Sequence, residues 1–305
     1  MPGVIEHSPT FDPKIHIGKE INNITLLELI GRGAMGAVYV GYQKSLKRKV
    51  ALKLFPKKAS SGGSFKIHFR EEAEIVSVLH HPNIVTVYDM GETDEFLFIS
   101  MLLVSGEDLR SMIYRQKLHP VPAKKLIDPK TVLGIMIPTL DALAYAHEEG
   151  VIHQDIKPGN ILIEERTKRP YLADFGIARS AMNEDYASTV IMGTPLYIAP
   201  EQINEEPADA RSDIYSAGVV LYEALAGKLP FQKTTVEALL NLKVNNPDEL
   251  FAIPPSEFCK SIDGELEKII LKAVAANPAD RFQTCNGFCS SLRAYRNNRY
   301  GTAEL

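Results

Sequence analysis

An α+β fold is predicted, with strands leading and helices following, and three observations predict it. Short runs of apolar and β-branched residues fill the first third of the chain, at Ile24–Ile30, Ala37–Val40, Val50–Phe55, Ile84–Tyr88 and Phe96–Met101. One amphipathic helical pattern interrupts them, about Phe65 to His80, where Glu72, Val76 and Leu79 share a face. Beyond Val104 the periodicity turns helical, and strands followed by helices are the mark of an α+β chain.

Each element carries its own local signal. Asp128-Pro129 reads as an N-cap followed by proline at the first helical position, opening a helix through Gly150. Pro138 lies inside that helix, where a lost hydrogen bond and a ring clash are expected to kink it. The 305 residues are 45% hydrophobic, enough for a substantial core, and the net charge of −4 gives no footprint for nucleic acid. Three cysteines, Cys259, Cys285 and Cys289, imply no disulfide framework and fit a reducing compartment. Cys285 and Cys289 share a helix face, but no second ligand pair follows, so packed thiols are the expectation. Neither a secretory leader nor an apolar run of the roughly 20 residues a bilayer demands is found. The expectation is a soluble, cytoplasmic chain with no membrane contact of its own, either a soluble protein or a domain excised from a longer one.

The chemistry concentrates in VIHQDIKPGNILIEERTKRPYLADFG, Val151 to Gly176. Asp155, Lys157 and Asn160 are closely spaced, and Asp174 follows a short hairpin. One carboxylate can orient and deprotonate a hydroxyl, an ammonium suits a phosphate, and an amide with a second carboxylate offers the hard oxygens that Mg2+ prefers. Phosphoryl transfer from ATP needs those functions, because positioning and charge neutralisation are most of its catalysis.

These motifs resemble a protein kinase. HQDIKPGN stands where that family has its HRD loop, ADFG where it has DFG, and Gly193 to Glu201, GTPLYIAPE, closes the activation segment. The resemblance implies a two-lobed fold, a small mainly antiparallel β N-lobe with one helix and a larger mainly helical C-lobe. It divides the chain into an N-terminal extension at 1–23, an N-lobe at 24–103, a C-lobe at 104–298 and a tail at 299–305.

GRGAMGAV places Gly31, Gly33 and Gly36 after a strand. Dinucleotide folds use the same spacing but continue into a helix, whereas here Ala37–Val40 continues as a strand, giving a hairpin whose backbone can approach a triphosphate. By resemblance, Ile30, Val38, Ala51 and Leu162 line the nucleotide, Met101 is the gatekeeper and Leu103 the adenine-binding hinge. Lys53 in VALKLF is the expected phosphate lysine, paired with Glu72 in preference to Glu71 or Glu74. The implied catalytic set is Asp155, Lys157, Lys53, Glu72 and Thr194; Asn160 and Asp174 hold Mg2+, with Mn2+ as a substitute, beside ATP.

Two departures from the family stand out. Leu102 replaces the usual acidic residue after the gatekeeper, leaving hinge hydrogen bonding to backbone groups. Gln154 replaces the arginine that pairs with an activation-segment phosphate, and a neutral amide cannot copy a bidentate fork. Activity with weak dependence on that phosphate is therefore expected, with Ser188 and Thr189 as autophosphorylation candidates and Arg179 as a residual partner. His153, close to Asp155, is expected to pack beneath Phe175 with Val76 and Val87 and not to act as a base. Asp213 matches the acid that ties down the catalytic loop, Arg281 matches the partner of Glu201, and Lys228 to Phe231 with the helix after Thr234 fits a docking region.

Lys157 and Thr194 make the resemblance closest to serine/threonine kinases, and the compact hairpin before ADFG to bacterial members. Protein substrates follow, together with a kinase–kinase dimer during autophosphorylation. Two other readings stay open: a nucleotide-binding scaffold without turnover, and a small-molecule phosphotransferase on a related fold. The glycine triplet and the APE segment with its anchors favour a protein substrate over the latter.

Overall fold

The computed structural model describes residues 11–33, 36–57, 69, 76–175, 195–204, 208–231 and 235–301. They divide into two compact units: the described residues up to Ser77 with Thr86–Leu103, and Val78–Val85 with those from Val104 onward.

The first unit is built on a six-stranded sheet in which every neighbour is antiparallel. Its strands are β1 (Glu20–Ile21), β2 (Ile24–Arg32), β3 (Ala37–Gln43), β4 (Arg48–Pro56), β5 (Val87–Glu92) and β6 (Phe96–Met101), in the order β1-β2-β3-β4-β6-β5. Asn22 and Asn23, with φ of 47° and 63°, make the two-residue turn between β1 and β2, a conformation asparagine tolerates better than most residues. Alternation along β4 sends Val50, Leu52 and Leu54 into a core with Ile24, Leu26, Tyr39, Phe96 and Phe98. Phe11 and His16 stack against that core, and Tyr39 Oη donates to the Pro13 carbonyl at 2.8 Å. Thus part of the stretch before Ile24 is fastened to the sheet.

One boundary differs from the sequence reading. Ile84 lies outside β5 and, within the second unit, forms an isolated parallel bridge with Leu172, whose carbonyl also accepts from Val85 N–H at 2.9 Å. The apolar run Ile84–Tyr88 is therefore two things, a buried connector followed by a strand that continues through polar residues to Glu92.

The second unit is mainly helical. A small sheet, β7 (Gly106–Asp108), β8 (Ile161–Glu164) and β9 (Pro170–Leu172), lies beside α1 (Leu109–Lys117), α2 (Pro129–Glu148), α3 (Pro200–Ile203), α4 (Ala210–Ala226), α5 (Val236–Asn245), α6 (Pro247–Leu250), α7 (Gly264–Ala273) and α8 (Cys285–Tyr300). Asp128 caps α2, accepting from Thr131 N–H at 3.2 Å, and α2 is one helix across Pro138. Fourteen positions of α4 are buried, from Ser212 to Ala226, so this helix is enclosed on nearly every side. It ends at Gly227, whose φ of 70° suits glycine at a helix C-terminus. All three cysteines are free and buried; burial pushes the Cys289 thiol up to about 11, and its Sγ donates to the Ile137 carbonyl at 3.5 Å. No described helix is long and apolar enough to cross a membrane.

Candidate active site

The catalytic loop is held from below by one buried carboxylate. Asp213, near the start of α4 and 1% exposed, accepts from His153 N–H and Gln154 N–H, each at 2.8 Å, and from His147 Nε2 of α2 at 2.8 Å. Gln154 sits at φ 61°, a left-handed conformation that persists in a non-glycine residue only when its surroundings impose it. Asp213 supplies that constraint.

His153 is fully buried. Its ring lies 4.4 Å from that of Phe175, and Nε2 meets the Ala173 carbonyl at 3.0 Å, which fixes Nε2 as the protonated nitrogen and leaves Nδ1 to accept from Asp155 N–H at 3.3 Å. Burial lowers its pKa, so the ring is neutral and both nitrogens are engaged. It shapes the loop and has no nitrogen left for a substrate.

On this base the reactive groups converge. Lys157 Nζ is 2.6 Å from Asp155 Oδ2, and Asn160 Nδ2 donates to the same oxygen at 3.1 Å and to the Asp155 carbonyl at 2.8 Å. Asp155 and Lys157 are part-exposed, at 36% and 43% of their side chains, whereas Asn160 is buried. Ala173 N–H donates to the Asn160 carbonyl at 2.9 Å, tying the strand that leads to Asp174 to the loop bearing Asn160. Asp174 has φ 56°, a second strained non-glycine position one residue after that tie. Both bonds of the Asn160 side chain use its nitrogen, leaving Oδ1 as a hard donor; with the Asp174 carboxylate, this donor set fits a divalent cation of the Mg2+ type. No cluster of three histidine, cysteine or acidic residues suited to a metal occurs among the described residues, so a transition-metal centre has no support there.

The sheet unit gathers most of the other candidates on one face. Gly31 pairs with Val38, Val38 with Lys53, and Ala51 with Met101; because Ala51 and Lys53 are two apart on β4, all five share the face opposite Leu52 and Leu54. Ile30 falls in the bulge between Leu29 and Gly31 and is exposed. Leu103 makes no backbone hydrogen bond to a described residue, whereas Leu102 N–H is taken by the Thr86 carbonyl at 2.9 Å. Those unused polar groups and the apolar Val38–Ala51 surface fit a purine. Leu162, half-buried on β8, belongs to the other unit. Gly36 is required for a reason the motif did not reveal: a Cβ there would lie 2.1 Å from the Leu54 carbonyl, while at Gly33 nothing comes nearer than 3.9 Å. Gly33 N–H closes the hairpin on the Gly36 carbonyl at 2.9 Å. Glu72, Thr194, Arg179, Ser188 and Thr189 lie outside the described residues.

Past the activation segment, Glu201 and Arg281 form a buried bidentate pair, Nη1 to Oε1 at 2.7 Å and Nη2 to Oε2 at 2.9 Å, and Ser212 Oγ donates to Oε1 at 2.7 Å. Three participants escaped the sequence reading. His147, at the end of α2, reaches Asp213 through Nε2; Glu223 accepts from Tyr197 Oη at 2.5 Å; and Lys243, in NLKVNN, is fully buried.

A curled antiparallel sheet unit followed by a helical unit that carries this loop is the protein kinase fold. The chain belongs to the protein kinase domain family, which it matches over residues 24–291. It is 35% identical to the serine/threonine-protein kinase PknB of Mycobacterium tuberculosis over 264 residues, 84% of this chain and 40% of that protein. To PrkC of Bacillus subtilis it is 36% identical over 281 residues, 91% and 41% of the two chains. It thus spans about two fifths of the length of these curated relatives. The crystal structure of the M. tuberculosis PknI kinase domain aligns with a TM-score of 0.71 at 28% identity, covering 91% of this chain and 98% of that one. The family uses ATP and a divalent metal and acts on proteins.

Proposed function

We propose that this chain is a serine/threonine protein kinase that transfers the ATP γ-phosphoryl to protein hydroxyls. The observation that carries the reading is the Lys157–Asp155–Asn160 cluster, part-open at its acid and held on its buried side by Asp213. Asp155 takes the proton of the serine or threonine hydroxyl as its oxygen bonds to the γ-phosphorus and the bridge to ADP breaks. Lys157 keeps the carboxylate aimed and offsets charge on the transferring group. Asn160 Oδ1 and Asp174 hold Mg2+, or Mn2+ in its place, which when bound supplies positive charge against the phosphates. Lys53 anchors the α- and β-phosphates, while Gly31, Gly33, Gly36, Val38, Ala51 and Leu103 receive the nucleotide; Glu72 and Thr194 complete the set by resemblance. Neither the geometry nor the relatives favour a scaffold without turnover.

The test is incubation with labelled ATP and Mg2+ and a generic basic protein, followed by phosphoamino-acid analysis. Label on serine and threonine is expected; label confined to tyrosine, or none, would contradict the assignment. Autophosphorylation at Ser188 or Thr189 would pair two copies transiently.

Gln154 sets a second expectation. With an amide where a guanidinium would bind an activation-segment phosphate, phosphatase-treated and phosphorylated protein should differ in turnover by less than about a hundredfold. A larger gain on phosphorylation, measured on the same preparation, would sink this part of the account.

A further inference from the structure

Resting on the kinase reading, we propose that Lys243 is a positioning residue for the protein substrate, clamping the turn that follows Thr194 by two of its backbone carbonyls. Lys243 Nζ, reaching out of α5 and wholly enclosed, donates to the Leu196 carbonyl at 2.9 Å and the Ile198 carbonyl at 2.7 Å. The carbonyl between them, of Tyr197, accepts from Ser216 Oγ of α4 at 2.8 Å. None of Leu196, Tyr197 and Ile198 makes a backbone–backbone hydrogen bond to a described residue. Among the described residues, three successive carbonyls are therefore held by side chains, two of the three by one lysine. The hold on this turn, among the described residues, comes from α4 and α5.

A fully buried lysine ordinarily pairs with a carboxylate, because desolvating an ammonium is costly. Here the acid whose charge acts on it, Glu201, already gives both oxygens to Arg281, and the Tyr215 ring has its centroid 5.2 Å from Nζ. Such a cation is kept for what it grips. The gripped turn lies between Thr194 and the Glu201–Arg281 anchor, so it sets where the chain leaving Thr194 runs, while Glu201 and Arg281 fix only its far end.

Titration gives the clamp a signature. Burial lowers the Lys243 pKa from the ordinary 10.5 to about 7, Glu201 opposing the shift and Arg281 reinforcing it. Of the groups facing it, the Glu201 carboxyl is held below its usual range and the Tyr215 hydroxyl is pushed far above its own. Near neutrality Lys243 is thus the group in this cluster that changes charge, and raising the pH converts a charge-assisted grip to a weaker neutral one.

The experiment compares the chain with its Lys243→Met and Lys243→Arg variants, measuring KM for a generic protein substrate, KM for ATP, and the nucleotide-induced shift in melting temperature. For Lys243→Met, kcat/KM toward protein should fall by about tenfold to a hundredfold, with KM for ATP and the thermal shift unchanged, and Lys243→Arg should recover part of it. In the wild type, protein KM should rise between about pH 6 and about pH 9, and that rise should be absent in Lys243→Met. Equal protein kinetics in Lys243→Met and wild type would overturn the proposal, as would a flat wild-type KM across that range, a result that stands even if the variants do not fold. If the wild type transfers no label to protein at all, the kinase reading fails first and the clamp with it.

Discussion

Arg281→Ala is expected to destabilise the helical unit by about 3–5 kcal/mol, the loss typical of a buried ion pair stripped of one partner. All five N–H groups of this guanidinium are used: Nε on the Ala275 carbonyl at 2.7 Å, Nη1 on Glu201 and on the Arg211 carbonyl at 3.0 Å, Nη2 on Glu201 and on the Ala276 carbonyl at 2.9 Å. Truncation takes a donor from three carbonyls and leaves the buried Glu201 carboxylate with Ser212 Oγ but without its countercharge. Denaturant unfolding measures it, and a loss under about 1 kcal/mol, the range of an exposed pair, would show that the cluster is solvated. A pH dependence follows. Burial would raise the Glu201 carboxyl, but the hydrogen bonds and charge of Arg281, aided by Ser212, outweigh it and hold the pKa below the ordinary 4.5. A depressed carboxyl contributes stability that is present above 4.5 and lost as pH falls through the lower folded value. Glu201→Gln should abolish that acid-labile component.

Asp213→Ala is expected to lower turnover by about a hundredfold or more, through misplacement of Asp155 and not through loss of a reacting group. Two backbone N–H groups, buried at His153 and part-buried at Gln154, lose their acceptor, at about 1–3 kcal/mol for the buried one. Gln154 also loses what holds it at φ 61°. Asp213→Asn keeps one acceptor oxygen and should fall between the alanine variant and wild type in both turnover and melting temperature. Turnover of Asp213→Ala within about tenfold of wild type would mean the loop orders itself.

The site was legible where chemistry demands a residue type at a fixed spacing. HQDIKPGN named the groups that the loop brings together, and Val50–Phe55, expected as a strand carrying Lys53, lies within β4. Less could be read where the cause lies in a distant element. Ile84 has the composition of a strand, yet its partner is Leu172, far along the chain, and that pairing decides its role. Gly36 looked like room for a phosphate, but the Leu54 carbonyl already occupies the space a Cβ would need. Lys243 lies in a polar stretch of α5, and only the fold reveals that its ammonium is enclosed against another segment's carbonyls.

The central claim, that the Asp155 carboxylate accepts the proton of the substrate hydroxyl, is tested most directly by single-turnover transfer of labelled phosphoryl to protein by Asp155→Asn beside wild type. The expected result is a loss of about 10²- to 10⁴-fold in transfer rate, with the nucleotide-induced rise in melting temperature retained because binding and folding are untouched. Transfer within about tenfold of wild type would contradict the account, since proton acceptance at that carboxylate would then not limit the reaction.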